Sequence, residues 1–179
     1  MLIRQEDSDY FVKVDTLKDP DPFPDTKMSF VIANPPFGQA WGGKDADDGV
    51  EDAVKKDHQL FDKTEGRQGR FVATPGTGDA QLLFHLHALA KLEENGRAAI
   101  ISNGSPLFSG GTSSGESQIR RYILENDLLE AIVALPGQFF YNTGIGIYIW
   151  IYNKNKSPER QNKVQFIDAT EEFVPLRKS

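Results

Sequence analysis

The sequence predicts an α/β domain with a mostly parallel sheet, and three observations predict it. Phe30-Val31-Ile32-Ala33 is an unbroken apolar run with a β-branched pair, the pattern of a strand buried on both faces of a parallel sheet. Further apolar strand patterns alternate along the chain with helical ones, which is the signature of βαβ units. The 179 residues suit one domain with a real core.

Taken in order, the first nine residues are polar and mixed in charge, and Tyr10-Phe11-Val12-Lys13-Val14 alternates like a short strand ending at Asp15-Thr16-Leu17. Pro20, Pro22 and Pro24 make Lys18 to Asp25 a loop. The central strand then runs from Ser29 to Ala33 and stops at Asn34-Pro35-Pro36-Phe37-Gly38. Neither proline can donate a hydrogen bond, and each pushes the residue before it into an extended conformation. The result is a stiff, non-helical loop at the carboxyl end of a buried strand, where open α/β sheets bind ligands. Gln39 to Thr77 is a long connection rich in Gly, Asp and Lys, of a length that is functional or mobile in a compact domain.

Asp79 is placed to cap a helix through Glu94, with Leu82, Leu86 and Leu89 on one stripe and Asn95-Gly96 as the stop. Ala98 to Ile101 reads as a second buried strand. The Gly/Ser loop Ser109 to Glu116 lacks a P-loop lysine, so its plain reading is a helix start, with Ser113 and Glu116 at capping-box spacing for a helix to Glu125. Leu128 to Leu135, Ile145 to Tyr152 and Val164 to Asp168 are the remaining strand candidates.

Composition narrows the function classes. There is no cysteine, which removes disulfides and thiolate metal sites. No apolar run reaches membrane-spanning length and the first residues lack signal-peptide character, so the expected location is cytoplasmic. The net charge of -6 argues against a chain that holds nucleic acid by bulk electrostatics, so a DNA substrate would need basic surface from a partner. His85 and His87 stand at i,i+2 on a helix and cannot share a metal, which leaves them structural or surface roles and gives no metal site. His58 is assigned nothing.

The Asn34 loop suggests chemistry on an amino group. An exocyclic amine on an aromatic ring is a poor nucleophile because its lone pair is delocalised. The Asn34 amide oxygen and the Pro35 carbonyl can both accept from such an amine and favour a pyramidal nitrogen. Phe37 can stack on a planar base, worth roughly 1–3 kcal/mol, which is comparable to the few kcal/mol needed to flip a base from a duplex. Gly38 lets the chain turn beside the ring. A rigid turn with Phe37 in the core is the plainer alternative. Trp41 can line the base pocket or anchor the long loop in the core. Arg120 and Arg121 can meet phosphate or a partner, or simply be solvated on a helix face.

Asn34-Pro35-Pro36-Phe37 resembles the (Asp/Asn/Ser)-Pro-Pro-(Tyr/Phe/Trp) signature of amino methyltransferases that use S-adenosylmethionine. With Gly78-Asp79-Ala80-Gln81-Leu82-Leu83-Phe84, Asn103-Gly104-Ser105-Pro106-Leu107-Phe108-Ser109-Gly110, Gly115-Glu116-Ser117-Gln118-Ile119-Arg120-Arg121, Leu135-Pro136 and Phe140-Tyr141-Asn142-Thr143-Gly144-Ile145, nearly the whole chain resembles the modification subunit of type I restriction-modification systems, an N6-adenine DNA methyltransferase. The resemblance implies a partial Rossmann-like methyltransferase fold with helices on both faces of the sheet. It implies that Asn34, Pro35, Pro36 and Phe37 form the catalytic loop, that Phe37 stacks on a flipped adenine, and that Asp15 contacts the adenine of S-adenosylmethionine, although Val14 stands where glycine is common. DNA, a specificity subunit and a restriction subunit are the implied partners; methylation of protein glutamine or RNA, or a non-catalytic scaffold, are the alternatives. The family's Gly-rich cofactor loop is not in these residues, so the chain is expected to be the C-terminal portion of a catalytic domain, inactive alone. Its first 25 residues are expected to be loosely attached, and the Asn34 strand to have a bare apolar edge prone to self-association.

Overall fold

A five-stranded sheet carries the fold. In the computed structural model, which describes residues 11–61, 69–140 and 144–174, the strands are β1 (Met28–Ala33), β2 (Leu92–Asn103), β3 (Leu129–Ala134), β4 (Ile147–Asn153) and β5 (Gln165–Asp168). Their order in the sheet is β1-β2-β4-β3-β5. β1 runs parallel to β2 and β3 parallel to β5, while β4 is antiparallel to both of its neighbours. The α/β class therefore holds, with the pairing evenly divided where a mostly parallel sheet was expected. No helix is described between β3 and β4, and a strand that returns without a crossover helix comes back antiparallel.

The helices are α1 (Val50–Gln59), α2 (Gln81–Lys91), the single turn α3 (Ser105–Phe108) and α4 (Gly115–Glu125). Register decides which strand residues meet them. Val31, Ala98, Tyr152 and Leu129 form one row across the sheet, and Ala33, Ile100, Trp150 and Ile132 the next. These rows share a core with Val50 and Val54 of α1, Leu82, Leu83, Leu86 and Leu89 of α2, and Ile119 and Ile123 of α4. The alternate rows, such as Ile32, Ala99, Ile151 and Ala131, point to the opposite face and take no part in that core. Among the described residues the helices thus lie on one face, a correction to the expectation of both.

β1 needs a second correction. Among the described residues it is an edge strand, paired only with β2, and Phe30 and Ile32 are 75% and 86% exposed, so it is not buried on both faces. An apolar run reports the capacity for two-sided burial, and burial itself requires neighbours that must come from elsewhere in the chain. Among the described residues no strand lies on the outer edge of β1, in line with the bare edge expected from the sequence.

Before β1, residues 11–14 form no strand, and Phe11, Val12 and Val14 are exposed because no described neighbour pairs with them. Residues 15–23 make specific contacts with the rest of the chain. Leu17 is buried, Arg70 Nη1 donates to the Thr16 carbonyl at 2.7 Å, and Lys91 Nζ donates to Asp21 Oδ2 at 2.7 Å and to the Phe23 carbonyl.

Three boundaries also move. α2 starts at Gln81, two residues after Asp79, and stops at Lys91, because Leu92 to Gly96 leave the helix to begin β2. α4 is capped by Ser114, whose Oγ accepts from the Ser117 N–H at 3.3 Å, so Ser113 is not the cap. α1 lies inside the expected loop, entered through Gly49 at φ +78 and marked by Val50 and Val54 one turn apart with Glu51 and Lys55 paired on its surface.

His85 stitches helix to sheet. Fully buried on α2, it has Nδ1 at 2.6 Å from the Tyr152 hydroxyl on β4 and Nε2 at 2.6 Å from Ser102 Oγ on β2, with its ring edge-on to Trp150. Its role is structural, as the spacing implied. His87 accepts at Nδ1 from Arg70 at 2.9 Å. Burial lowers the pKa of His85 from 6.5 to about 3; burial first, then Arg70, lowers that of His87 to about 4. Both imidazoles stay neutral when folded and bind protons below pH 6.5 when unfolded, so stability is full above about pH 7 and falls as pH drops. Urea melts at pH 7 and pH 5 should show a loss of up to about 1.4 kcal/mol per pH unit for each group below its unfolded pKa, and substituting Phe at His85 should flatten that slope.

Candidate active site

The Asn34 loop leaves the sheet where two parallel strands end together. Ala33 is in register with Ile100, so Asn34 emerges beside the last residues of β2, Ile101 to Asn103. Asn34 is exposed, Pro35 buried, Pro36 exposed and Phe37 half-buried. Among the described residues neither the Asn34 side-chain amide nor the Pro35 carbonyl has a hydrogen-bond partner, so both oxygens are available as acceptors. Gly38 has φ +65, a left-handed turn that favours glycine, as the sequence suggested.

Beyond this turn, Gln39 to Gly42 are lashed to a second loop, residues 76–80. The Ala80 N–H donates to the Gln39 carbonyl at 2.8 Å, and the Trp41 and Gly42 N–H groups converge on the Thr77 carbonyl at 2.9 and 3.3 Å. The Trp41 indole donates to the Gly76 carbonyl at 3.0 Å, and the Gly43 N–H to Glu51 Oε2 at 2.7 Å. Trp41 is only 2% exposed and belongs to the core, so it anchors the loop and offers no face to a base.

The second loop is itself fixed. Glu116 Oε1 accepts from the Gly76 N–H at 2.7 Å. Burial alone would raise the Glu116 pKa, but the backbone N–H groups of Gly76 and Glu116, the Ser114 hydroxyl and Arg120 outweigh it and hold the carboxyl below its usual value. Asp79 Oδ1 accepts from the Gln81 N–H, and the Gln81 side chain bridges Asp79 to Asn103 at the end of β2. A cavity of about 240 Å³ lies here, walled by residues 75–79, Gln81, Ser105, Ser109 and Glu116. Gln81 and Glu116 carry this arrangement, and sequence reading missed both. The signal was slight: a glutamine opening an otherwise apolar helix.

The remaining sequence candidates are dispersed. Asp15 lies in a turn preceded by no strand among the described residues, where its Oδ1 accepts from the N–H groups of Leu17 and Lys18, leaving Oδ2 able to accept from a ligand. Arg120 donates to the Pro106 carbonyl at 3.2 Å and joins α4 to α3, while Arg121 pairs with Glu125 on the exposed surface. Phe140 ends the described stretch in an edge-on contact with Phe139, and 141–143, part of the Phe140 to Ile145 resemblance, lie outside the described residues.

Comparison with known proteins identifies the family. The family model for N-6 DNA Methylase matches residues 1–179. The MjaIX type I restriction enzyme methylase subunit of Methanocaldococcus jannaschii is 31% identical over 171 residues, covering 94% of this chain and 27% of that protein. The HindI type I methylase subunit of Haemophilus influenzae is 35% identical over 147 residues, covering 81% of this chain and 28% of the relative. The chain thus spans between a quarter and a third of the length of these relatives. Among solved structures, the type I restriction-modification methyltransferase subunit from Streptococcus thermophilus superposes with a TM-score of 0.68 at 28% identity, over 91% of this chain and 30% of that one.

The close approach of the two loops gives a structural test. A Cβ built on Gly42 would stand 2.8 Å from Thr77 Cγ2 and 3.0 Å from the Glu51 carboxyl group. Gly42→Ala should therefore cost about 1–3 kcal/mol through overpacking, and Thr77→Ser, which removes that methyl, should restore part of the loss; paired thermal melts of the single and double variants measure it.

Proposed function

The chain belongs to the N-6 DNA methylase family, and on that premise we propose that it is the C-terminal, amine-binding portion of the catalytic domain of a type I methylase subunit, acting on adenine N6 in DNA. The observation that carries the reading is the pair of unengaged acceptors, Asn34 amide and Pro35 carbonyl, beside a half-buried aromatic ring at the carboxyl edge of β1 and β2. The names of the relatives favour restriction-enzyme methylation over methylation of protein or RNA and over a scaffold role.

The chemistry rests on what these groups can hold. An adenine flipped out of its duplex leaves part of its stacking behind, and the Phe37 ring returns roughly 1–3 kcal/mol of it. The two N6 hydrogens then meet the Asn34 oxygen and the Pro35 carbonyl. Two acceptors out of the ring plane favour a pyramidal nitrogen, whose lone pair is released from the ring and directed at an electrophile. Pro35 and Pro36 remove the backbone freedom that would let the acceptors follow the amine back into the plane. When bound, S-adenosylmethionine supplies an activated methyl group on a sulfonium. Asp15 would hold that cofactor, its Oδ2 accepting from a hydroxyl or amino group. The proton displaced from nitrogen can pass to water, since the loop presents no buried base.

The partners are read from charge. A net charge of -6 is a poor match for a phosphate backbone, so most of the DNA-binding surface belongs to other parts of the assembly: a specificity subunit that selects the sequence and a restriction subunit beside it. Among the described residues no helix is long and apolar enough to cross a membrane. Taken alone, the chain self-associates through β1, whose outer edge is unpaired among the described residues and whose Phe30 and Ile32 are bare. Sedimentation should show a concentration-dependent increase in mass that Ile32→Lys reduces; a monomer at all concentrations would reject self-association.

The functional reading is tested on the methylase that carries this sequence, with radiolabelled methyl donor and DNA. Asn34→Ala should reduce transfer to DNA by at least about 100-fold, the scale of losing one such group, with an unchanged melting temperature because Asn34 is exposed and unpaired. Methylation that survives in Asn34→Ala would refute it.

A further inference from the structure

Building on the amine-binding reading of the Asn34 loop, we propose that Gln81 is a positioning residue, which sets the loop's location by joining three chain segments through one buried amide. Gln81 is 1% exposed, although it opens an apolar helix. Its Nε2 donates to Asp79 Oδ2 at 2.8 Å and Oδ1 at 3.1 Å, and to Asn103 Oδ1 at 3.0 Å, while its Oε1 accepts from the Asn103 N–H at 3.0 Å. Both amide hydrogens and the oxygen are thereby committed. Asn103 Oδ1 in turn accepts from the Ser105 N–H at 2.8 Å, which fixes the start of α3.

A helix cap alone would require none of this. The backbone N–H of Gln81 already takes Asp79 Oδ1 at 3.0 Å, and that bond satisfies the helix start. The side chain does something else: it holds loop 76–80 against the end of β2. That loop carries the Gln39 tether from Ala80, the Trp41 tethers from Gly76 and Thr77, and no other described backbone bond restrains Gln39, Trp41 or Gly42. The Asn34 loop is therefore located relative to β2 by two routes. One is the ladder of β1, which ends at Ala33; the other runs from Asn103 through Gln81 and Asp79 to Ala80 and Gln39. With the second route cut, loop 76–80 loses its link to the end of β2 and is held from the side of Glu116 on α4, so the tethers at Gln39 and Trp41 no longer fix the amine acceptors relative to β2.

The amide is required and a carboxylate will not serve. Gln81→Glu sets two carboxylates against each other, which is relieved only when one takes a proton. Asp79→Asn together with Gln81→Glu reverses donor and acceptor between positions 79 and 81 and removes the repulsion between two carboxylates; residue 81 can still accept from the Asn103 N–H, while Asn103 Oδ1 loses its donor. Two measurements test the link. In this chain, the Trp41 indole N–H resonance reports the loop: Gln81→Leu and Gln81→Glu should shift it, and the Asp79→Asn/Gln81→Glu pair should return it toward its original position. In the methylase that carries this sequence, kcat for DNA methylation should fall about 10–100-fold in Gln81→Glu, the scale of an ångström-sized misplacement. KM for DNA and for the methyl donor should stay within about threefold, kcat should recover as pH is lowered, and the double variant should regain part of it. An unmoved Trp41 signal with unchanged kcat in folded Gln81→Glu overturns the proposal, as does a double variant no better than the single. If Gln81→Leu fails to fold, the Glu and Asn/Glu variants decide. Retained methylation in Asn34→Ala, with the Trp41 signal still following Gln81, rejects the functional reading and leaves the Gln81 link standing.

Discussion

The parallel register of β1 on β2 is the constraint on which the rest of the molecule depends. Because Ala33 lies opposite Ile100, the two strands finish at one edge, and everything chemically suggestive leaves the sheet there: Asn34 to Phe37 from one strand, Asn103 to Ser105 from the other. Parallel strands cannot be joined by a tight turn, so residues 34–91 must travel around the sheet between them. That excursion supplies α1, loop 76–80 and α2, the parts that then brace the Asn34 loop. A register slip of one residue would turn Val31 and Ala33 out of the core and Phe30 and Ile32 into it.

Polar groups are buried where elements must keep a fixed relation, and in each case the alternative is a lost hydrogen bond in a dry place. His85 has both ring nitrogens engaged, which aligns α2 with β2 and β4 at a cost of about 1–3 kcal/mol if one partner is removed. Lys156, 5% exposed, pairs with Asp127 at 2.5 Å, and Asp127, at φ +53, also takes the Asn162 N–H; burial would raise the Asp127 pKa, but Lys156 and Asn162 outweigh it and lower it. Apolar packing would hold these elements together equally well but would let them slide. The polar contacts define position, and the Trp150 indole, the one buried side-chain polar atom without a partner among those described, sits edge-on to His85 in the middle of them.

The sequence disclosed those parts whose conformation is dictated by their own residues. Prolines, glycines and the abrupt end of an apolar run placed the Asn34 loop, and apolar, β-branched and aromatic runs placed β3, β4 and β5 to within two residues. It did not disclose features that depend on distant partners. β1 reads as buried on both faces and is covered on one, because no described helix packs over the face that carries Phe30 and Ile32. α1 was lost in a Gly- and Asp-rich stretch, since two valines one turn apart are a weak signal against so many loop formers. Gln81 looked like part of an amphipathic helix; its meaning depends on Asn103, which lies 22 residues away, and no local pattern encodes that pairing.

On the proposed reading, the division of labour between the aromatic ring and the two oxygens is the reason for a braced loop. Stacking on Phe37 stabilises a flipped base before and during reaction alike, so it lowers the cost of reaching the site without accelerating transfer. Hydrogen bonds to N6 are different. A planar amine holds its hydrogens in the ring plane, a pyramidal one does not, and acceptors placed for the second geometry stabilise the transition state more than the ground state. The gain survives only if the acceptors do not relax toward the planar arrangement, which the two prolines resist within the loop and the tethers to residues 76–80 resist from outside it. A site that uses no strong base must obtain its rate from such geometry, and here the geometry is kept by the backbone bonds at Gln39 and Trp41 and by the buried amide of Gln81.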